Sequence, residues 1–401
     1  MANYRDAVAM VTAPGAFLEV STIDHAGQTL KAYKHAPVSM RDLWIMGQGY
    51  GDQEYIIYGD QRWTFAEAGQ LVANFATWLQ TQGIGSGDRV AIAMRNYPEW
   101  ILSFMAVTAV GGIAVAMNAL WRPDEMAFGL TDSGAKVLIA DQERLDRFAN
   151  IDKALDLQVI AVRPENTTHP KLTELMSAYA DVTEMPEQAP EPEDDATLMY
   201  TSGSTGNPKG VASCHINIIS ALMSWELDQT TAIALLPEPP PEPAHPPATL
   251  LAVPLFHATG SHAVFLASYR HQRKLVSMYK WDPAEAAALI EAEQITGFIA
   301  PAAMTGDLVL EANRSNRDLS SLLSVGGGGA PLLPPSPAPS PPCCAGAASG
   351  VRRPPSSRAA AAAATRGAQP QRTSRWRRRR RGLRGRRRPV WRRRGWAAAQ
   401  S

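Results

Sequence analysis

Residues 200–211 read YTSGSTGNPKGV, and this stretch indicates the fold more clearly than any other part of the chain. Four hydroxyl side chains and three glycines lie in this stretch, and a lysine directly precedes the last glycine. Glycines let the backbone turn tightly and bring its N–H groups close to a ligand, while hydroxyls add further donors. Lys209 adds a mobile positive charge, so the stretch suits the oxygens of a polyphosphate. The apolar residues that end at Met199 predict a strand leading into this loop.

The stretch differs from the Walker A loop, which requires Gly-Lys followed by Ser or Thr. Here Pro208 precedes Lys209 and Gly210 follows it. A flexible Ser/Gly linker is the plain alternative. A linker has no need of a Pro-Lys-Gly end or of an apolar strand before it, so we interpret the stretch as a phosphate-binding loop.

Outward from this loop, short runs rich in Val, Ile and Leu alternate with helical patterns. This alternation predicts an α/β protein with mostly parallel sheets covered on both faces. The predicted strands are 89–94, 136–140, 157–162, 249–253, 274–278 and 295–299. The predicted helices include 65–82, 122–133, 283–293 and 302–312. Asp282-Pro283 is a start signal for the third of these, and Asn217 is a candidate N-cap after the loop.

We expect three regions: a first α/β subdomain at 1–190, a second at 191–333 with the phosphate-binding loop, and a tail at 334–401. The acidic, Pro-rich segment 181–195 is the expected connector between the subdomains. Residues 237–247 contain seven prolines and predict an extended surface loop. A docking site for a proline-binding partner is the alternative for that loop.

The segment from Trp100 to Trp121 is free of charge for 22 residues, which is long enough to span a bilayer. Gly111-Gly112 interrupts it, with a helical pattern before the pair and a strand-like pattern after it. We therefore predict a helix, a turn and a buried strand rather than a membrane span. The N-terminus lacks a signal-peptide pattern, and three cysteines form no disulfide framework. Both observations predict a cytoplasmic location.

The tail differs sharply in composition from the rest of the chain. Residues 331–401 hold 18 Arg and no Lys, Asp or Glu, which leaves 21 basic and 38 acidic residues before them. The first 330 residues thus carry a net charge of −17, which argues against nucleic acid as their partner. The tail predicts disorder because it holds little apolar surface to bury. Translation of a GC-rich gene in a shifted reading frame, a basic arm for nucleic acid or acidic membranes, and another low-complexity extension are its three explanations.

The loop resembles the phosphate-binding signature of the adenylate-forming superfamily, which includes acyl-CoA synthetases, luciferases and the adenylation domains of peptide synthetases. The resemblance runs from about Arg41 to about Leu333, and the sequence over this range is most similar to bacterial fatty acyl-CoA synthetases. The supporting segments are 95–100 (RNYPEW), 132–136 (DSGAK), 253–257 (VPLFH) and 326–331 (GGGGAP). It implies the large N-terminal domain of the acyl-CoA synthetase/luciferase-like fold, without the small C-terminal domain.

The resemblance assigns roles to particular residues. Residues of the loop would hold the β- and γ-phosphates of ATP, with Lys209 stabilising charge and Thr205 reaching Mg²⁺ through the phosphates. The expected ATP-binding residues are Thr201, Ser202, Gly203, Ser204, Thr205, Gly206, Pro208 and Lys209, with Gly327, Gly328, Gly329 and Ala330 against adenine. His257, after a strand ending at Val253, would lie beside the acyl pocket with Thr259 and Gly260. A satisfied core histidine and an ordinary helix start are the plain alternatives. Cys214 and His215 receive no catalytic role.

The implied reaction is ATP-dependent activation of a carboxylic acid to acyl-AMP, followed by transfer to CoA. A fatty acid is the expected substrate, and an aryl or other acid is the alternative. ATP, Mg²⁺ and CoA are the expected cofactors and co-substrates. We expect no transmembrane segment, and peripheral contact with a membrane is a further expectation. The family's Thr-Glu motif, ribose-binding Asp and C-terminal Lys are not found after Pro331. Impaired activity is therefore expected, and a non-catalytic nucleotide- or acyl-binding remnant is the competing hypothesis.

Overall fold

The predicted strands and helices are found within two residues of their expected ends. The structure is a computed structural model that describes residues 3–25, 27–201 and 208–327, all of them within the compact unit Met1–Ser349. The predicted tail lies outside these residues. The helices are α1 (Tyr4–Val11), α2 (Met40–Gln48), α3 (Phe65–Thr81), α4 (Pro98–Ala109), α5 (Pro123–Ser133), α6 (Gln142–Ala149), α7 (Leu172–Ser177), α8 (His215–Ala234), α9 (Ala267–Arg270), α10 (Pro283–Glu293) and α11 (Ala302–Arg314), with a π-helix at Thr259–Leu266.

The strands form one hairpin and two larger sheets. They are β1 (Val20–His25), β2 (Gln28–Tyr33), β3 (Glu54–Tyr58), β4 (Gln61–Thr64), β5 (Arg89–Ala93), β6 (Ile113–Ala116), β7 (Val137–Asp141), β8 (Gln158–Val162), β9 (Asp195–Thr201), β10 (Lys209–Cys214), β11 (Ala248–Leu251), β12 (Lys274–Ser277), β13 (Gly297–Ala300) and β14 (Ser324–Gly327). The first sheet has the order β10-β9-β6-β5-β7-β8, and the second has the order β14-β13-β11-β12-β3-β4. In each sheet an antiparallel edge strand, β10 or β4, joins five parallel strands.

The sheets do not follow the expected boundary at residue 190. Strands β3 and β4 come early in the chain but pair with the second sheet through β12. Strands β9 and β10 come after the acidic segment 181–195 but pair with the first sheet through β6. Segment 181–195 therefore leads back into the first sheet rather than connecting two sheets, since strand pairing depends on long-range contacts.

Side chains alternate between two cores along the parallel strands of the first sheet. In β5, Val90 and Ile92 join a central core that also holds Leu251 and Leu275 of the second sheet, while Ala91 and Ala93 join a separate outer core. Another outer core covers the far face of the second sheet. Both sheets are thus buried on both faces, as parallel sheets require.

The charge-free segment forms the predicted helix, turn and strand. All twelve residues of α4 are buried, so this helix lies inside the central core. Gly111 has φ of +78°, and a Cβ on Gly112 would lie 3.0 Å from the Val107 carbonyl oxygen, so the turn requires both glycines. Among the described residues, no helix is both long and apolar enough to cross a bilayer.

Helix start signals were read correctly at some positions and wrongly at Asn217. Asp282 accepts hydrogen bonds from the backbone N–H groups of Ala284 and Glu285, as its position before Pro283 predicts. Helix α8 instead starts two residues before Asn217, with Cys214 as N-cap. The first backbone N–H groups of α8 donate to the carbonyls of Asp194 and Pro192, so no side-chain cap is needed.

Candidate active site

The carboxyl end of β9 and the start of β10 frame the predicted phosphate-binding loop. Thr201 is paired in register with Lys209, and the Thr201 hydroxyl donates to the Lys209 carbonyl at 3.5 Å. Residues 202–207 lie outside the described residues, so the roles expected of Ser202, Gly203, Ser204, Thr205 and Gly206 stay predictions. Pro208 lies half-buried at the end of the loop.

Lys209 is exposed and forms no ion pair with any described residue. Some other lysines of the described chain have carboxylate partners: Lys136 lies 2.6 Å from Asp88, and Lys274 lies 3.0 Å from Glu293. Because β9 runs parallel to β6, Lys209 lies beside the carboxyl edge of the first sheet. An open α/β sheet binds ligands at that edge, so this ammonium group is placed to meet an anion.

Tyr200 anchors β9 one residue before the loop. Its hydroxyl donates to Asp132 Oδ2 at 2.9 Å and lies 3.2 Å from the Gly129 carbonyl oxygen. Its ring meets Trp121 edge-on, with centroids 5.2 Å apart. Burial, and then the hydrogen bond to Asp132, raise the pKa of Tyr200. Tyr200 therefore stays protonated, and its hydrogen bond to Asp132 connects β9 to segment 132–136.

Asn96 joins the carboxyl edges of the two sheets. Its side-chain amide donates to the Val253 carbonyl at 3.1 Å, and its side-chain oxygen accepts from the Leu255 N–H at 3.0 Å. The Asn96 carbonyl accepts from the Ser277 hydroxyl at 2.8 Å. Segments 95–100 and 253–257, which support the resemblance to the adenylate-forming superfamily, are thus in direct contact. Sequence reasoning missed this role, because an Asn after a strand has no local feature that identifies its partner.

The residues expected at the acyl pocket follow β11. The strand ends at Leu251, two residues earlier than expected, and Val253 belongs to the turn that Asn96 holds. His257 is exposed and packs against Phe256, with ring centroids 4.6 Å apart. Partial desolvation by the surrounding protein lowers the pKa of His257, so the ring is neutral at pH 7.

Thr259 and Gly260 begin the π-helix rather than an ordinary α-helix. A Cβ on Gly260 would lie 2.2 Å from the Pro254 carbonyl oxygen, so this helix and the turn before it touch through backbone atoms. π-Helices are rare and often lie at functional sites. The close approach fixes where His257 is held relative to the end of the second sheet.

Gly327 ends β14 and pairs in register with Ala300 of β13. It therefore lies at the same carboxyl edge as the turn after β11. Gly328, Gly329 and Ala330 lie outside the described residues, and their expected contact with adenine stays a prediction.

The structure gathers the predicted residues at two neighbouring carboxyl edges. Thr201 and Lys209 lie in strands of the first sheet, and Gly327 lies in a strand of the second. His257 and Gly260 follow β11 at the carboxyl edge of the second sheet. Within the described ranges, Lys209 and His257 share no hydrogen bond. The same ranges contain no group of three His, Cys, Asp or Glu side chains that could hold a metal ion.

Comparison with known proteins gives the family. Residues 44–338 match the sequence profile described as AMP-binding enzyme. The chain is 30% identical over 275 residues to 4-coumarate–CoA ligase 2 of Solanum tuberosum, covering 66% of this chain and 47% of that protein. It is 32% identical over 250 residues to a long-chain-fatty-acid–CoA ligase of Mycobacterium tuberculosis, covering 59% of this chain and 44% of that protein.

Solved structures show the same fold. The structure of the anthranilate CoA ligase AuaEII with anthranoyl-AMP superposes with a TM-score of 0.63 at 21% identity, covering 72% of this chain and 54% of that one. A Mycobacterium tuberculosis fatty acyl CoA synthetase gives 0.61 at 24% identity, with coverages of 73% and 55%. The chain spans about half the length of the curated relatives it matches. It has the α/β fold of the N-terminal domain of acyl-CoA synthetase/luciferase-like enzymes, and it belongs to the family of AMP-binding enzymes.

Proposed function

We propose that this chain binds ATP and a carboxylic acid and takes part in adenylation of the acid, as the nucleotide-handling part of an acid–CoA ligase. The observation that carries the proposal is the exposed Lys209, without a carboxylate partner in the described chain, at the hairpin that frames the family's phosphate-binding loop. The loop N–H groups and hydroxyls would add donors for the phosphate oxygens. Mg²⁺, bound through the phosphates and near Thr205, would neutralise further charge. We place the reaction in the cytoplasm, where ATP and CoA are available.

In the proposed reaction a carboxylate oxygen attacks the α-phosphorus of ATP, and the bond to the β-phosphate oxygen breaks to release pyrophosphate. A thiolate of CoA then attacks the acyl carbon, and AMP leaves with the bonding electrons. Lys209 would stabilise negative charge during the first step. His257 would contact the acid as a neutral ring, so it adds no second charge beside the acyl chain.

The acid is proposed to be a fatty acid, with an aryl acid as the second candidate. The long-chain-fatty-acid–CoA ligase relative supports the first. The second has specific support, because 4-coumarate–CoA ligase 2 and the feruloyl-CoA synthase of an Amycolatopsis species are each 30% identical to this chain. A panel of saturated fatty acids and hydroxycinnamic acids, read by acyl-AMP formation, separates the two.

The first test is ATP binding by the full chain, measured by calorimetry, with pyrophosphate release measured in parallel. Replacing Lys209 by Met should weaken ATP binding roughly ten- to hundredfold, because a charge-assisted hydrogen bond is lost. Lys31→Met, on an exposed lysine of β2, is the matched control and should bind ATP like the unaltered chain. ATP binding without acid-dependent pyrophosphate release would support the non-catalytic remnant. Failure to bind ATP at all would reject both the adenylation proposal and a nucleotide-binding remnant.

A further inference from the structure

A cavity of about 440 Å³ lies at the amino edge of the second sheet, the edge opposite the turn after β11. Its size falls within the range of small-molecule sites. Its polar lining includes His245, Thr249, His271, Arg273 and Ser324, with Gly297 between two of the strands. Strands of four residues separate the two edges by on the order of 13 Å. The residues assigned to the adenylation site at the carboxyl edges do not line this cavity.

Arg273 supplies this cavity with a positive charge that no described residue balances. The residue lies between α9 and β12, and its backbone N–H donates to the Ser268 carbonyl at 2.8 Å. Within the described chain its guanidinium has no carboxylate partner, whereas the cations beside it do: Arg270 lies 3.2 Å from Glu226, and Lys274 pairs with Glu293. Desolvation lowers the pKa of Arg273, though the group stays charged at pH 7. An unpaired, partly desolvated guanidinium costs stability unless an anion completes the site.

Hydroxyl groups from two strands flank a gap in the same cavity. Thr249, Gly297 and Ser324 are register partners on the neighbouring strands β11, β13 and β14. A Cβ on Gly297 would lie 3.4 Å from Ser324 Oγ and 3.9 Å from Thr249 Oγ1, so the missing side chain leaves room between them. Thr249 is only 2% exposed, and its hydroxyl has no partner in the part of the chain that the structure describes. Buried hydroxyls normally have a partner, and a ligand group that reaches the gap beside Gly297 would supply one to Thr249.

The charge of the lining suggests which anion it suits. Desolvation and the neighbouring Arg273 and Arg270 lower the pKa of His271 to about 4, so this ring is neutral at pH 7. Arg273 is then the permanent charge of the lining, and one positive charge matches a monoanion better than a phosphate dianion. The planar guanidinium also matches a carboxylate in bidentate geometry. Apolar side chains of Pro243, Pro247 and Leu323 complete the wall and suit a hydrocarbon chain.

We propose that this cavity is a second binding site, for a small aliphatic monocarboxylate, with Arg273 pairing with the carboxylate and the Thr249 and Ser324 hydroxyls donating to it.

The test is calorimetric titration of the full chain with hexanoate, inorganic phosphate and 1-hexanol at constant ionic strength, together with thermal unfolding. Arg273→Met should weaken hexanoate binding roughly tenfold or more, and the isosteric Thr249→Val should weaken it roughly three- to tenfold. Without ligand, both variants should keep or raise the unfolding temperature, because each removes an unpaired polar group. Arg5→Met, on the exposed face of α1, should change neither quantity.

ATP binding is the control that separates this site from the proposed adenylation site, and Arg273→Met should leave it unchanged. Equal hexanoate binding by the unaltered chain and by both variants would overturn the proposal. So would equal affinity for 1-hexanol, which lacks the charge, or tighter binding of phosphate than of hexanoate. A lower unfolding temperature of both variants without ligand would also overturn it, since these groups would then be structural.

Discussion

At the scale of single residues, Asn96 illustrates how one side chain fixes the relation between the two sheets. It is 4% exposed, and both ends of its amide are used by the turn after β11. Those two hydrogen bonds satisfy the Val253 carbonyl and the Leu255 N–H, which lie beyond the end of β11. The turn leads directly to His257, so Asn96 positions a proposed substrate-binding residue without touching it.

Asn96→Asp keeps the acceptor for the Leu255 N–H but places a second oxygen against the Val253 carbonyl. We expect a loss of about 2–3 kcal/mol in the free energy of unfolding, because a buried acceptor loses its donor and a charge is buried. Chemical denaturation of the full chain measures it. Asn166→Asp, on an exposed loop, is the control and should leave the midpoint unchanged. Equal midpoints for the two variants would show that the Asn96 bonds contribute nothing.

At the scale of elements, the π-helix depends on glycine at its second position. Adding a Cβ at Gly260 brings it within 2.8 Å of three backbone atoms of Val253 and Pro254, which cannot move as a side chain tip would. The same substitution at Gly306, inside α11, meets nothing within 4 Å. The two positions therefore form a matched pair.

Gly260→Ala should destabilise the chain by about 1–3 kcal/mol, because overpacking forces the backbone to shift. Gly306→Ala should instead stabilise it by about 0.5–1 kcal/mol, since alanine has the higher helix propensity. Thermal unfolding of both variants against the unaltered chain measures the difference in sign. A gain in stability for Gly260→Ala would contradict the close approach to Pro254.

At the scale of the whole molecule, histidines kept neutral by burial make stability depend on pH. The pKa of His215 is lowered to about 4, first by desolvation, against smaller opposing effects of Asp194 and Asp42. His215 Nδ1 accepts from the Met40 N–H at 3.0 Å, so the proton lies on Nε2. Desolvation lowers the pKa values of His262 and His271 to about 4 as well.

Unfolded histidine titrates near pH 6.5, above these folded values, so the unfolded chain binds more protons between about pH 6.5 and 4. The free energy of unfolding should therefore fall as pH drops through this window, with about 3 kcal/mol from His215 alone. His215→Asn keeps an acceptor for the Met40 N–H but cannot titrate, so it should flatten the pH dependence measured by urea denaturation. His169→Asn, at an exposed position, should not. An unchanged slope in His215→Asn would contradict the burial argument.

The sequence by itself determined the local structure and the character of the phosphate-binding loop. Hydrophobic periodicity located β5, β7 and β8 and the helices α3, α5, α10 and α11, because it reports which side of each element is buried. The Gly111-Gly112 pair indicated the turn inside the charge-free segment. The amino-acid sequence of residues 200–211 was specific enough to predict the family, which the comparisons confirmed.

Tertiary structure alone decided which elements are neighbours. Strands β3 and β4 joined the second sheet, β9 and β10 joined the first, and Asn96 met a turn more than 150 residues away. Tertiary structure also placed Arg273, Thr249 and Gly297 around one cavity. No sequence motif at these positions had predicted a binding site. The physical reason is that periodicity indicates which face of a helix or strand is buried. Which strand or turn that face packs against depends on contacts between parts of the chain that are distant in sequence.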